Sequence, residues 1–68
     1  MKTFFTIIYE KRDLQNLVLS LVSAEFDYKV KFNKKNNYTN VEFKCDPDRE
    51  EFNEICDNYY ILEKNNNK

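Results

Sequence analysis

From Thr3 to Tyr9 the chain reads TFFTIIY, an almost unbroken apolar and aromatic run. Its length and its content of aromatic and β-branched residues predict a strand. The lack of alternation predicts that this strand is buried on both faces at the centre of a sheet. The rhythm then changes. Leu14, Leu17, Val18, Leu21 and Val22 recur at i, i+3, i+4 spacing, which predicts an amphipathic helix over 13–24 with Asp13 as its N-cap. Strict alternation begins after Glu25, with Phe26, Tyr28, Val30 and Phe32 on one face and Asp27, Lys29, Lys31 and Asn33 on the other. That is the pattern of a half-buried strand whose apolar side chains enter the core.

The polar run NKKNN, 33–37, predicts a hairpin loop in which Asn supplies the awkward backbone angles. A second alternating strand follows, with Thr39, Val41, Phe43 and Cys45 facing the core and Tyr38, Asn40, Glu42 and Lys44 facing away. DPDREEF then predicts a helix over 47–57, with Asp46 as N-cap, Pro47 at the first helical position and acidic residues in the first turn. Phe52, Ile55 and Cys56 form its apolar stripe. YYILE, 59–63, has strand composition, and a strand there would protect the first strand from becoming an exposed edge. A helical extension through Tyr59 and Leu62 is the alternative.

The order βαββα(β) predicts an α+β fold of the small ferredoxin-like, or split βαβ, plan: an antiparallel sheet with two helices on one face. The expected domain covers 1–63, with 64–68 a disordered tail. At 68 residues the chain sits near the lower size limit for a self-sufficient core, which leaves room for a homodimer.

Composition narrows the chemistry. Glycine is absent. Phosphate-cradling loops, dinucleotide fingerprints and nucleophile elbows require it, so none is present in standard form. There is no His, and the spacing of Cys45 and Cys56 matches no zinc pattern. No metal site and no cofactor is expected. Without a recognisable signal sequence, both cysteines are expected to be reduced thiols acting as buried hydrophobes in a cytoplasmic protein. No apolar run approaches the length of a membrane span. Formal net charge is −1, so no global field selects nucleic acid or an anionic membrane. The abundance of Asn and Lys suits an AT-rich genome such as that of a phage, a mobile element or a low-GC bacterium.

Three local constellations remain. NNYTNVEF, 36–43, resembles the third-strand signature of the RNA recognition motif at Tyr38, Val41 and Phe43. Asn40 stands where that signature has a base-stacking aromatic, and Asn36 and Asn37 replace its basic-Gly pair. The resemblance implies single-stranded RNA or DNA binding on the sheet face, with Lys29, Lys31, Lys34, Lys35, Tyr38 and Lys44 as the nucleic-acid contacts. Asp27 and Glu42 share that face and oppose phosphate. Tyr9-Glu10 is loosely similar to the strand end of the CRISPR adaptation nuclease family, which would imply a metal-dependent nuclease, although Glu10 replaces the expected Asp. Ser20 and Ser23 have no His partner for nucleophilic catalysis.

The third constellation is acidic. Asp48, Glu50, Glu51, Glu54 and Asp57 concentrate negative charge on the second helix of a nearly neutral chain. They point to docking of a protein with a basic surface, with Tyr38, Tyr59 and Tyr60 as contact aromatics. The leading functional expectation is therefore a non-enzymatic protein-binding regulator or inhibitor, of the kind a phage encodes to block a host protein such as a defence nuclease. Single-stranded nucleic-acid binding is the runner-up.

Overall fold

The computed structural model of the chain describes residues 1–64. The opening apolar run forms β1 (Lys2–Ile8), and α1 (Lys11–Ser23), β2 (Asp27–Asn33), β3 (Tyr38–Cys45), α2 (Glu50–Asn58) and β4 (Leu62–Glu63) follow it. The strands join one antiparallel sheet in the order β2-β3-β1-β4, which is the ferredoxin-like arrangement. β1 lies inside the sheet, between β3 and the short β4. Of YYILE only Leu62 and Glu63 form a strand; Tyr59 caps α2 in extended conformation, so the helix does not continue, and Tyr60 and Ile61 link it to β4. Lys64 continues the pairing, donating its backbone N–H to the Thr3 carbonyl at 2.8 Å. The rest of the expected tail, 65–68, lies outside the described residues.

Both helices cover the same sheet face. Leu17 and Leu21 of α1 and Ile55 of α2 close over Phe4 and Ile8 of β1 and Val41, Phe43 and Cys45 of β3. Phe43 is the hub: its ring centroid lies 5.8 Å from Phe4, 6.2 Å from Phe26 and 6.4 Å from Phe52. Thr6 is the one fully buried polar residue among the described residues, and its Oγ1 donates to the Tyr60 carbonyl at 2.6 Å. That bond satisfies the hydroxyl and ties the chain leaving α2 to β1.

Burial on both faces of β1 does not occur. Phe4, Thr6 and Ile8 are buried, but Thr3, Phe5 and Ile7 are only half-buried because nothing covers the second face. A larger departure concerns β2. Its apolar residues do share the helix side, since Tyr28 pairs with Phe43 and Val30 with Val41. Yet their exposure climbs along the strand, from 7% at Phe26 through 39% at Tyr28 and 46% at Val30 to 58% at Phe32. The helix layer does not extend over the far end of this outer strand. Cys56, expected in the buried stripe of α2, is exposed, whereas Cys45 is buried; both are free thiols.

The helix starts also move. α1 begins at Lys11 with Glu10 in the extended N-cap position, so Asp13 sits in the first turn, where it suits the helix dipole. Asp46 and Pro47 start a turn, not a helix. The Asp46 carboxylate accepts the Asp48 N–H at 3.0 Å, and its carbonyl accepts the Arg49 N–H at 3.0 Å. Proline suits the second position of such a turn as well as it suits a first helical position, and α2 begins only at Glu50.

Without glycine, left-handed backbone falls on Asn37 (φ 59°) in the hairpin, as the loop composition predicts, and on Glu25 (φ 61°). Glu25 closes α1 in a Schellman motif: its N–H bonds the Val22 carbonyl and the Phe26 N–H bonds the Leu21 carbonyl, both at 3.0 Å. A Cβ costs energy in this region. Glu25→Gly is therefore expected to stabilise the domain by about 1 kcal/mol and to raise its melting temperature by about 4–8 °C. Thermal denaturation followed by circular dichroism measures this, and an unchanged or lower midpoint would contradict the strain assignment.

Candidate functional site

Amphipathic spacing in α2 sends Phe52, Ile55 and the following Tyr59 toward the core. The same geometry gathers Glu50, Glu54 and Asp57, at i, i+4 and i+7, within roughly 60° of the helix circumference on the outer side. All three are exposed, and none has an ion-pair partner among the described residues. Glu51 differs. Arg49 donates Nε and Nη2 to its two carboxylate oxygens, each at 3.0 Å. This bidentate contact holds the Glu51 carboxyl below its usual range and the Arg49 guanidinium above its own. The Arg49 guanidinium also lies 5.3 Å from the centroid of the Phe26 ring. Asp48 is exposed in the turn before the helix.

Beside this acidic stripe, residues of α1 and α2 border a groove of about 310 Å³. Buried Ala24 and Ile55 form its floor, while exposed Leu19 and Ser23 and the carboxylates of Glu51 and Glu54 form its rim. Arg49 already occupies the Glu51 carboxylate, so among the described residues Glu54 supplies the unpaired negative charge of the rim; an aliphatic floor beside it suits a long cationic side chain, whose methylene stem needs apolar contact and whose head needs charge. Leu19 is 64% exposed and lines this groove. Sequence spacing placed Leu19 outside the core stripe but gave no sign of a groove, because the gap depends on how the two helices pack.

The tyrosines named with the acidic helix do not converge on it. Tyr59 is half-buried against the core, and its hydroxyl reaches the Asp13 carbonyl at 3.5 Å across the helix pair. Burial, followed by the Asp13 charge, pushes its phenol pKa up. Tyr60 is exposed beyond the end of α2. Tyr38 lies on the opposite, open face of the sheet, in an edge-to-face contact with Tyr9 at 6.0 Å, and its Oη accepts a hydrogen bond from Asn33 Nδ2 at 3.2 Å.

On that open face the charges are interleaved. Asp27 stands opposite Lys44 and Lys29 opposite Glu42, while Lys64 Nζ bonds Glu42 at 3.1 Å. Positive charge without an opposed carboxylate gathers at the hairpin end, where Lys31, Lys34 and Lys35 border a groove of about 500 Å³ with Tyr38 and Asn40. Asn40 Oδ1 is buried and has no hydrogen-bond partner among the described residues. Half-buried Phe5 and Ile7 supply the apolar part of this face. Glu10 is exposed and makes no capping bond. No group of three Cys, Asp or Glu side chains converges as a metal-ligand set among the described residues, and no helix there is long and apolar enough to cross a membrane.

Burial pushes the Cys45 thiol up to about 11 from an ordinary 9.0; the shift at the exposed Cys56 is upward as well, from partial desolvation of its thiol and then from the Asp57 charge. An unfolded thiol ionises near 9.0, whereas Cys45 in the fold stays protonated until about 11, so this group costs the fold stability as pH rises across that window. In the native protein Cys56 is expected to react with Ellman's reagent and Cys45 only after denaturant is added. Cys45→Ala should show a shallower alkaline loss of stability than the parent. Two thiols titrating together in the native protein would overturn this assignment.

Comparison with protein families, curated proteins and solved structures returned no match to the chain.

Proposed function

We propose that the chain is a non-enzymatic protein-binding module that regulates or inhibits a partner carrying a basic surface. The supporting observation is the pairing of an unneutralised acidic stripe, Glu50, Glu54 and Asp57, with an adjoining groove that has an apolar floor and the free Glu54 carboxylate at its rim. Charge alone steers a partner and speeds association; a groove adds contacts that hold it. A lysine or arginine of the partner would lay its stem on Ala24 and Ile55 and set its head beside Glu54. A small cytoplasmic protein of a phage or mobile element that engages a host factor fits this reading.

The test uses immobilised protein and a nuclease-treated lysate. Parent protein is expected to retain a specific basic partner. The triple variant Glu50→Lys, Glu54→Lys, Asp57→Lys is expected to slow association with the purified partner about tenfold or more, as added salt should slow the parent. Ser23→Trp, which fills the groove without altering charge, should weaken retention. Undiminished binding by both variants would reject the α2 face as the docking site.

A second reading is favoured by one observation, the unpartnered Asn40 acceptor beside Tyr38, Lys31, Lys34 and Lys35. These groups offer a hydrogen bond, a ring and positive charge to a single-stranded nucleic acid. Fluorescence anisotropy with mixed single-stranded RNA decides it: submicromolar affinity that persists at physiological salt and is lost in Tyr38→Ala would put this reading first.

A further inference from the structure

We infer that β2 is the seat of a two-fold homodimer in which the β2 strands of two copies pair antiparallel and join the two sheets into one. β2 is an edge strand, so one side of its backbone is unpaired. Its helix-side residues Tyr28, Val30 and Phe32 are all large, all exposed and contiguous. On α1, Val22 is likewise 53% exposed. A monomer of this size gains little by leaving such a row in water, and a second copy would cover it with the same row.

The charges on the other face of the strand select the register. Antiparallel pairing about a two-fold axis keeps each face together, so odd-numbered residues oppose odd-numbered ones and even oppose even. A register centred on Val30 pairs the whole strand but opposes Lys29 to Lys31 twice. One centred on Tyr28 opposes Asp27 to Lys29, yet it overlaps the strands only over 27–29 and drives Phe32 onto Ala24 at the end of the partner's helix. The register centred on Lys29 overlaps 27–31. It opposes Asp27 to Lys31 twice and Tyr28 to Val30 on the helix side; the two Lys29 side chains meet once at the axis, each with the partner's Asp27 on its diagonal, so two attractive pairs stand against one repulsive pair. Opposite charges directly across a strand pair are stabilising and like charges are not. Among the registers that overlap the strands over 27–31, 27–33 or 29–33, centred on Lys29, Val30 and Lys31, only the first sets opposite charges directly across the pair, so the lysines that guard the edge against indiscriminate pairing favour that arrangement. The inference does not rest on the acidic helix, because neither Asp27, Val30 nor Lys31 lines that face or its groove.

Sedimentation equilibrium of the purified chain across a concentration series tests the assembly. The expected result is reversible conversion from 8.3 kDa to twice that mass. Asp27→Lys and Lys31→Asp, each at an exposed position, should raise the dissociation constant about tenfold or more because the symmetry doubles each change. The combined exchange Asp27→Lys with Lys31→Asp should restore it, and Val30→Lys should give a folded monomer. A parent that stays monomeric at millimolar concentration overturns the inference. So does a dimer that is indifferent to Val30→Lys, or one whose single charge variants are not rescued by the exchange.

Discussion

Leu17→Asp is expected to abolish the cooperative fold, while Leu19→Asp, two positions along the same helix, leaves it nearly unchanged. Leu17 is fully buried against Phe4, Val41 and Phe43, whereas Leu19 is 64% exposed. A carboxylate at position 17 would have no partner in that core, and an unpaired buried charge costs several kcal/mol. A domain of 68 residues has only about 3–10 kcal/mol to lose at roughly 0.05–0.15 kcal/mol per residue. An exposed surface change falls within about 0.5 kcal/mol. Chemical denaturation of the two variants side by side measures the contrast. A cooperative Leu17→Asp transition at the parental midpoint would mean that α1 presents a different face to the sheet.

The second large effect separates two phenylalanines that the sequence treats alike. Phe43→Ala is expected to cost about 3–5 kcal/mol, since it deletes the ring shared by Phe4, Phe26 and Phe52 and leaves a cavity. Phe32→Ala should cost about 0.5 kcal/mol or less in the monomer, because Phe32 is already 58% exposed. Urea titration in dilute solution gives both values. Equal losses would show that Phe32 is buried by something other than the monomer's own core.

That pair also marks where sequence reading stops. Periodicity assigns side chains to a face, and it did so correctly for Phe32 and Phe43, which share the helix side of the sheet. Whether a face is covered depends on how far the helices extend across the sheet, and no local pattern carries that information. The βαββα(β) order was legible for the same reason the faces were: each element has its own apolar period. The start of α2 was not, because Asp-Pro favours a turn and a helix start equally, and the choice went to the turn closed by Asp46 and Arg49. On the candidate site, helical spacing was enough to align Glu50, Glu54 and Asp57. It could not separate Glu51 from them, since only the three-dimensional placement of Arg49 shows that this carboxylate is neutralised. The interhelical groove had no sequence signal.

The strand order also governs what happens as the chain is made. β1 pairs with β3 from Lys2 opposite Cys45 to Ile8 opposite Thr39, so the first strand synthesised waits for the third. At roughly 5–20 residues per second, Cys45 follows Ile8 after about 2–7 seconds. Throughout that interval Phe4, Phe5, Ile7 and Ile8 lie side by side with no strand to bond, in a segment whose composition favours intermolecular β-pairing. α1 emerges next and is the one element that can shelter the Phe4 and Ile8 side in the meantime, which makes early formation of this helix a guard against aggregation during translation as well as part of the finished core.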